Sequence, residues 1–182
     1  MSILTILLLL KIILAVVITG SLIFIFFAAC SIYTNLTTGI PWAKISKANI
    51  LKIFEELDLP RNSLIYDLGA GDGRVILAAE KFGLRAKGFE LSPYPYLRAL
   101  LKIFFSRSRA EINRQDFLKE NLSQADAVFV FLTDKILLKL SRKFKRELKP
   151  GATVISYGFA LPNWRPDRTI FTRPSLTYVY KI

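Results

Sequence analysis

Tyr66-Asp-Leu-Gly-Ala-Gly-Asp-Gly-Arg74 is the stretch on which the reading of the chain turns. Before its glycines stands a short β-rich run, Ser63-Leu-Ile-Tyr-Asp-Leu68; after them, Arg74–Phe82 has helical apolar spacing and is closed by Gly83. A glycine turn between strand and helix exposes backbone amides and a helix N-terminus at the carboxyl edge of a sheet, where anions and nucleotides bind. A dinucleotide fingerprint would need a third glycine where Arg74 stands, and a P-loop would need Gly-Lys-Ser/Thr. Both patterns are missing. Turns of this kind also serve as plain connectors, so the turn alone assigns no ligand.

Working outward, strands and helices alternate. Ala48–Leu57 has helical spacing and precedes the turn. Arg85–Glu90 reads as a second strand, Tyr94–Ser106 as a helix, Ala110–Gln115 as a weak strand and Ala125–Leu132 as a strong one. Lys135–Leu148 is an amphipathic basic helix ended by Pro150-Gly151; Ala152–Tyr157 is a further strand. Thr169–Thr172 and Leu176–Lys181 pair as a final hairpin. The expected fold is α/β: a Rossmann-like, doubly wound, mostly parallel sheet with a C-terminal antiparallel hairpin.

One long apolar segment precedes all of this. Ile12–Tyr33 is 22 residues without a charge, enough to cross a hydrocarbon core of about 30 Å as one transmembrane helix. The expected organisation is an anchor at 1–33, a connector and lead-in helix at 34–60, and the α/β domain at 61–182. Lys44, Lys47 and Lys52 follow the anchor and only Lys11 precedes its core, so the positive-inside rule places the domain in the cytoplasm. Phe27-Ala-Ala-Cys30-Ser31 resembles a bacterial lipobox, but the apolar run is long and the basic n-region weak. Cys30 is therefore read as a small residue of the membrane helix. Of the 26 basic residues only Lys11 lies in 1–33, and none of the 14 acidic ones does, so the other 149 residues carry +11. One cysteine and no histidine exclude a Cys/His metal cage and a disulfide scaffold.

Three acidic residues add to the turn. Asp67 ends the first strand, Glu90 ends the second, and Asp116 follows the third. Glu90 lies about 20 residues past the turn, where dinucleotide folds place an acid on a ribose. Each could singly be a cap or a solvated charge; together they would line one sheet edge.

With these residues in view, the chain resembles the class I S-adenosylmethionine-dependent methyltransferases. It is similar in particular to the small membrane-associated protein-lysine methyltransferases acting on ATP synthase c-subunit and adenine nucleotide translocase, with their prokaryotic relatives. The matching segments are Asp67–Arg74, Gly88-Phe-Glu90-Leu-Ser-Pro93, Arg146-Glu-Leu-Lys-Pro-Gly151, Phe159-Ala-Leu-Pro-Asn-Trp164-Arg-Pro166 and Gly39-Ile-Pro41-Trp42. Ala70 stands where relatives often carry serine, and Thr133-Asp134 where they carry an apolar-Pro pair. The resemblance implies that Gly69, Ala70, Gly71 and Gly73 cradle the methionine end of the cofactor, with Asp67 facing its ammonium. It further implies Glu90 on the ribose hydroxyls and Asp116 on the adenine amino group.

A lysine acceptor must be neutral to attack, and its ordinary pKa of about 10.4 makes that cost roughly 4–5 kcal/mol near neutrality unless burial helps. Trp42, Phe131, Phe159 and Trp164 are the candidates for an aromatic slot, and Tyr157 and Asp134 for steering the ammonium or taking its proton. Each aromatic could equally be ordinary core. The basic residues Lys102, Arg107, Arg109, Lys135, Lys139, Arg142, Lys143, Lys145 and Arg146 favour docking on an anionic membrane surface, ahead of a plain solvated face and then of nucleic acid. The expected function is methylation of lysine in a membrane or membrane-near protein. The alternatives are a lipid-headgroup methyltransferase, an RNA methyltransferase and a non-catalytic cofactor-binding adaptor.

Overall fold

The computed structural model of the chain describes residues 2–38 and 44–182. Its first element, α1 (Ile3–Thr38), is longer than the apolar core of the segment. Lys11 is a good helix former and does not interrupt it. At the other end no Gly or Pro intervenes before Gly39, and the Thr34 hydroxyl donates to the Cys30 carbonyl at 2.8 Å. At 1.5 Å per residue α1 is about 54 Å long. Within Ile3–Thr34 the mean hydropathy reaches 2.8, and Leu, Ile and Phe side chains cover the helix almost all round. By length and composition it can cross a membrane.

The domain follows as α2 (Lys47–Leu57), β1 (Leu64–Leu68), α3 (Arg74–Lys81), β2 (Arg85–Phe89), α4 (Pro93–Phe105) and β3 (Glu111–Asn113). A short 3-10 turn at Phe117–Lys119 leads to β4 (Ala127–Val130), α5 (Asp134–Glu147), β5 (Thr153–Tyr157), β6 (Arg168–Thr172) and β7 (Ser175–Lys181). The seven strands lie in the order β3-β2-β1-β4-β5-β7-β6, parallel except for β7, which runs antiparallel to both β5 and β6. This is the expected doubly wound sheet with a terminal hairpin. The chain order reverses between β1 and β4, and ligand crevices in such sheets open there, beyond the carboxyl ends of the strands.

The central strands alternate between two cores. Ile65, Ala127, Phe129, Ile155 and Tyr157 face α2, α3 and α4; Tyr66, Leu68, Val128, Val130 and Val154 face α5. Ser46 caps α2, accepting the Asn49 N–H at 3.1 Å, which brings the start of α2 over the site edge of the sheet. The basic residues consequently separate into two groups on opposite faces of the sheet, on and beyond α4 and along α5. Three of them are engaged in ion pairs: Lys102 with Asp72, and Lys143 and Arg146 with Glu147.

Candidate functional site

β1 and β2 pair in register, Asp67 opposite Gly88 and Leu68 opposite Phe89, so the turn at 69–73 emerges beside the end of β2. Gly69, Gly71 and Gly73 all have positive φ, at 91°, 56° and 76°, a backbone that side-chain-bearing residues rarely adopt. The Gly69 and Ala70 N–H groups donate to the Phe89 carbonyl at 2.9 and 3.0 Å, which lays the turn against β2. Gly88 makes that close approach feasible. A Cβ there would stand 2.7 Å from the Ala70 Cβ and 2.8 Å from the Ile112 Cδ1. Gly88→Ala is therefore expected to destabilise the domain by about 1–3 kcal/mol through overpacking. Thermal unfolding in detergent checks it; an unchanged midpoint would show that the turn yields freely.

Glu90 is buried at the end of β2 with both carboxylate oxygens on backbone amides: Oε2 accepts from Gly71 at 2.9 Å and Oε1 from Ser92 at 2.7 Å. It clamps the glycine turn to the start of α4. Burial pushes its carboxyl up from the ordinary value, while the Ser92 and Gly71 amides oppose that. Asp67 is also buried, and its Oδ2 has no hydrogen-bond partner. Burial, reinforced by the nearby Glu90 and Asp72, pushes its carboxyl up to about 8. A buried carboxylate oxygen without a donor is costly to keep and calls for a cation or donor from outside the fold.

Asp72 presents the opposite case. Burial alone would raise its carboxyl, but Arg74 donates to both oxygens at 2.8 Å and Lys102 to one at 2.7 Å, and together they hold it well below the usual carboxylate range. Arg74 also donates to the Ile45 carbonyl at 2.8 Å, tying the stretch before α2 to the turn. Asp116 caps the 3-10 turn beyond β3, its Oδ1 accepting from the Leu118 N–H at 2.9 Å. It shares an edge with Glu90, whose N–H donates to the Asn113 carbonyl at the end of β3.

Past β4 and β5, Tyr157 is buried and its ring meets Phe131 edge-on at 4.8 Å. Asn49 of α2 donates to the Tyr157 hydroxyl at 3.0 Å and to the Arg173 carbonyl at 2.8 Å, fixing that hydroxyl from above. Phe159 lies two residues beyond, 39% exposed, with its carbonyl held by the Ser156 hydroxyl. Asp134 opens α5 and is exposed. Trp164, expected in the same slot, is not brought to it. Its ring stands edge-on to Tyr180 at 5.8 Å under Lys145, in the core facing α5, across the sheet from Phe131 and Tyr157. The segment after Gly158 runs away from the site edge, and Tyr180, opposite Val154, lies nearer the start of β5. Trp42 and the rest of Gly39-Ile-Pro41-Trp42 lie outside the described residues. Asn49 and Lys102 carried no local sequence signal, because their partners lie 108 and 30 residues away.

The residues present fit a ligand carrying an ammonium and a vicinal diol: an unpartnered buried carboxylate at Asp67, an open glycine turn and a second carboxylate at Glu90. Comparison with known proteins points the same way. The family model described as the ANTKMT methyltransferase domain matches residues 67–168. The chain is 33% identical over 137 residues to the Homo sapiens lysine N-methyltransferase of the ATP synthase c-subunit, covering 70% of this chain and 55% of that protein. It is 31% identical over 135 residues to a protein-lysine N-methyltransferase of Saccharolobus islandicus, covering 72% and 84%. With the adenine nucleotide translocase lysine N-methyltransferase of Mus musculus it shares 36% over 125 residues, covering 67% and 55%. The chain thus spans about half the length of the human and mouse relatives. Among solved structures, an RNA methyltransferase from Salinibacter ruber in complex with S-adenosyl-L-homocysteine superposes with a TM-score of 0.73 at 28% identity, over 77% of this chain and 94% of that one.

Proposed function

This chain belongs to the ANTKMT methyltransferase family, and on that footing we propose that it is a membrane-anchored S-adenosylmethionine-dependent methyltransferase acting on lysine in a membrane or membrane-near protein. The observation that carries the cofactor assignment is the buried, unpartnered Oδ2 of Asp67 beside the glycine turn. Asp67 would hold the ammonium of the methionine end, the turn at 69–73 its carboxylate, Glu90 the ribose hydroxyls and Asp116 the adenine amino group. When bound, S-adenosylmethionine supplies a methyl already activated on a sulfonium. What is left to the chain is alignment, exclusion of water and handling of the acceptor's proton.

The acceptor amine reaches the site past Phe131 and Phe159, whose rings remove water and favour the neutral amine. With no histidine in the chain, the Asp134 carboxylate is the candidate proton acceptor at this edge, while the Tyr157 hydroxyl, oriented by Asn49, accepts a hydrogen bond from the ammonium and steers it. Tyr157→Phe is expected to lower turnover by about tenfold or more, with S-adenosylhomocysteine affinity unchanged. Asp134→Asn should lower it less, because that carboxylate is exposed. Unchanged turnover in both would remove this role.

Support for lysine as acceptor comes from the relatives' names, and support for anchoring from α1. With α1 spanning the bilayer, Lys44, Lys47 and Lys52 just beyond it favour a cytoplasmic domain. The basic surface and the Salinibacter ruber enzyme supply an RNA reading as the second possibility. Labelled-methyl transfer into membrane fractions separates the two: label in protein, recovered as methyl-lysine after hydrolysis, supports the proposal, and label in RNA or lipid overturns it. Failure of calorimetry to detect S-adenosylmethionine binding would remove both.

A further inference from the structure

We propose that α4 is a second membrane-contacting element, lying in the plane of the bilayer surface with its outward Leu/Phe face among the lipid chains. This rests on the reading of α1 as an anchor and says where the domain sits relative to it. The face is built by spacing. Leu97, Leu100, Leu101 and Phe104 follow one another at i, i+3, i+4 and i+7, and all are exposed; Phe104 is 75% and the adjoining Phe105 77% exposed. The inward side of the same helix is apolar too, with Pro95 and Ala99 buried against the domain. A helix apolar on both sides has no reason to meet water on either.

The occupant is fixed by continuity and by charge. α1 already lies against this helix: Phe24 meets Tyr94 edge-on at 6.0 Å, and the Ser31 hydroxyl accepts the Tyr94 N–H at 3.3 Å. Ser31 stands about one turn before Thr34, the depth at which a spanning helix leaves the hydrocarbon, and Phe24 about two turns deeper, so the Tyr94 ring reaches from that level down along the apolar part of α1. A helix held beside those turns is held at the interface. Arg107 and Arg109, exposed just past its end, supply a cationic margin that reaches toward anionic headgroups, while Lys102 on its flank turns inward to Asp72. On the opposite side of the sheet α5 exposes Lys135, Lys139, Arg142, Lys145 and Arg146 around a single outward Leu138, so it has charge but no apolar face to insert. Since the two helices cover opposite faces, a planar membrane meets only one of them.

This placement has a consequence for the site. α4 begins at the Glu90–Ser92 clamp, and its Lys102 reaches Asp72 in the glycine turn. Seating α4 on the bilayer would hold the adenosine side of the site at headgroup level, within reach of a lysine just outside the hydrocarbon.

The test uses the full chain in vesicles of phosphatidylcholine and phosphatidylglycerol. A nitroxide is placed singly at Phe104, Phe105, Lys139 or Val17 by cysteine substitution in a Cys30→Ala background. Retained S-adenosylhomocysteine affinity certifies folding. Collision with oxygen, which concentrates in lipid, is compared with collision with a water-soluble nickel chelate. The expected oxygen-to-nickel ratio at 104 and 105 is severalfold that at 139 and approaches that at 17. Lipid-like values at 17 with water-like values at 104 and 105 would overturn the proposal and leave the anchor standing. Water-like values at 17 as well would overturn the anchor, and the proposal with it. Exclusion of both reagents at 104 and 105 would mean that protein covers this face, such as a second copy of the chain, which also overturns it.

Discussion

Glu90→Gln is expected to weaken binding of S-adenosylhomocysteine by about 100-fold or more and to lower the stability of the ligand-free domain by about 1–3 kcal/mol. The substitution keeps size and shape, so the effect follows from hydrogen-bond polarity and the lost charge. Both oxygens of Glu90 accept backbone N–H groups, Gly71 on one and Ser92 on the other. A glutamine offers one accepting oxygen and one donating nitrogen. Whichever way its amide is turned, either the Gly71 or the Ser92 N–H faces another donor in a buried position, and one such orphan carries the stated stability loss. The affinity loss has two sources: the glycine turn is no longer pinned, and charge-assisted acceptance from the ribose hydroxyls is gone, at about 1.5–3 kcal/mol per bond, where 1.4 kcal/mol is tenfold. Glu55→Gln, on the exposed side of α2, serves as the control and should change neither quantity. Calorimetry and thermal unfolding decide the matter. Parental affinity in Glu90→Gln would show that this carboxylate neither clamps the turn nor meets the ligand.

The same carboxylate shows what a sequence can and cannot display. That Asp67, Glu90 and Asp116 would share an edge follows from strand order. Each ends or follows a strand of a parallel sheet, and carboxyl ends of parallel strands lie on one side whatever the details of packing. The elements themselves were legible because each carries its own period or breaker. Where they differ, the reason is local: α1 runs on to Thr38 because threonine and asparagine are poor reasons for a helix to stop when no glycine or proline is present. What the chain does not display is pairing at a distance. Glu90 looked like a ribose ligand with two free oxygens, whereas the fold first uses it to hold the turn. The Asn49 bond to Tyr157 depends on how α2 crosses the sheet edge, and no pattern within α2 encodes that. Trp164 lies apart from Phe131 and Tyr157 for a related reason. Its motif fixes the residue type, but the direction of the 158–167 segment is set by where β6 and β7 pair. The apolar outward face of α4 was in the sequence all along, as a run of Leu and Phe. It could not be told from core until the fold showed which side was already covered.

Asp67→Asn should make the ligand-free protein more stable at pH 8 than the parent while weakening S-adenosylhomocysteine binding by about 10–100-fold. The sign follows from proton counting. In the unfolded chain the Asp67 carboxyl ionises at the ordinary value near 4; in the fold, burial, with Glu90 and Asp72 nearby, pushes it up to about 8. Between those two values the folded state holds a proton that the unfolded state has released, so stability falls as pH rises through that interval, by at most about 1.4 kcal/mol per pH unit, and levels off above it. Asparagine has no proton to lose, so the variant's pH dependence is shallower. A residual slope of the same sign remains from Glu90, which is also raised by burial. Ligand binding reverses the preference, because an ammonium beside Oδ2 supplies the missing partner and stabilises the carboxylate. Below pH 8, binding should therefore expel a proton: close to one per ligand at pH 7 in the parent, and close to none from this position in Asp67→Asn. Calorimetry in buffers of differing ionisation enthalpy counts that proton directly, and thermal midpoints across pH 5–9 give the stability arm. If parent and variant release the same number of protons, Asp67 is not the group that meets the ammonium, and the buried orphan oxygen needs a different explanation.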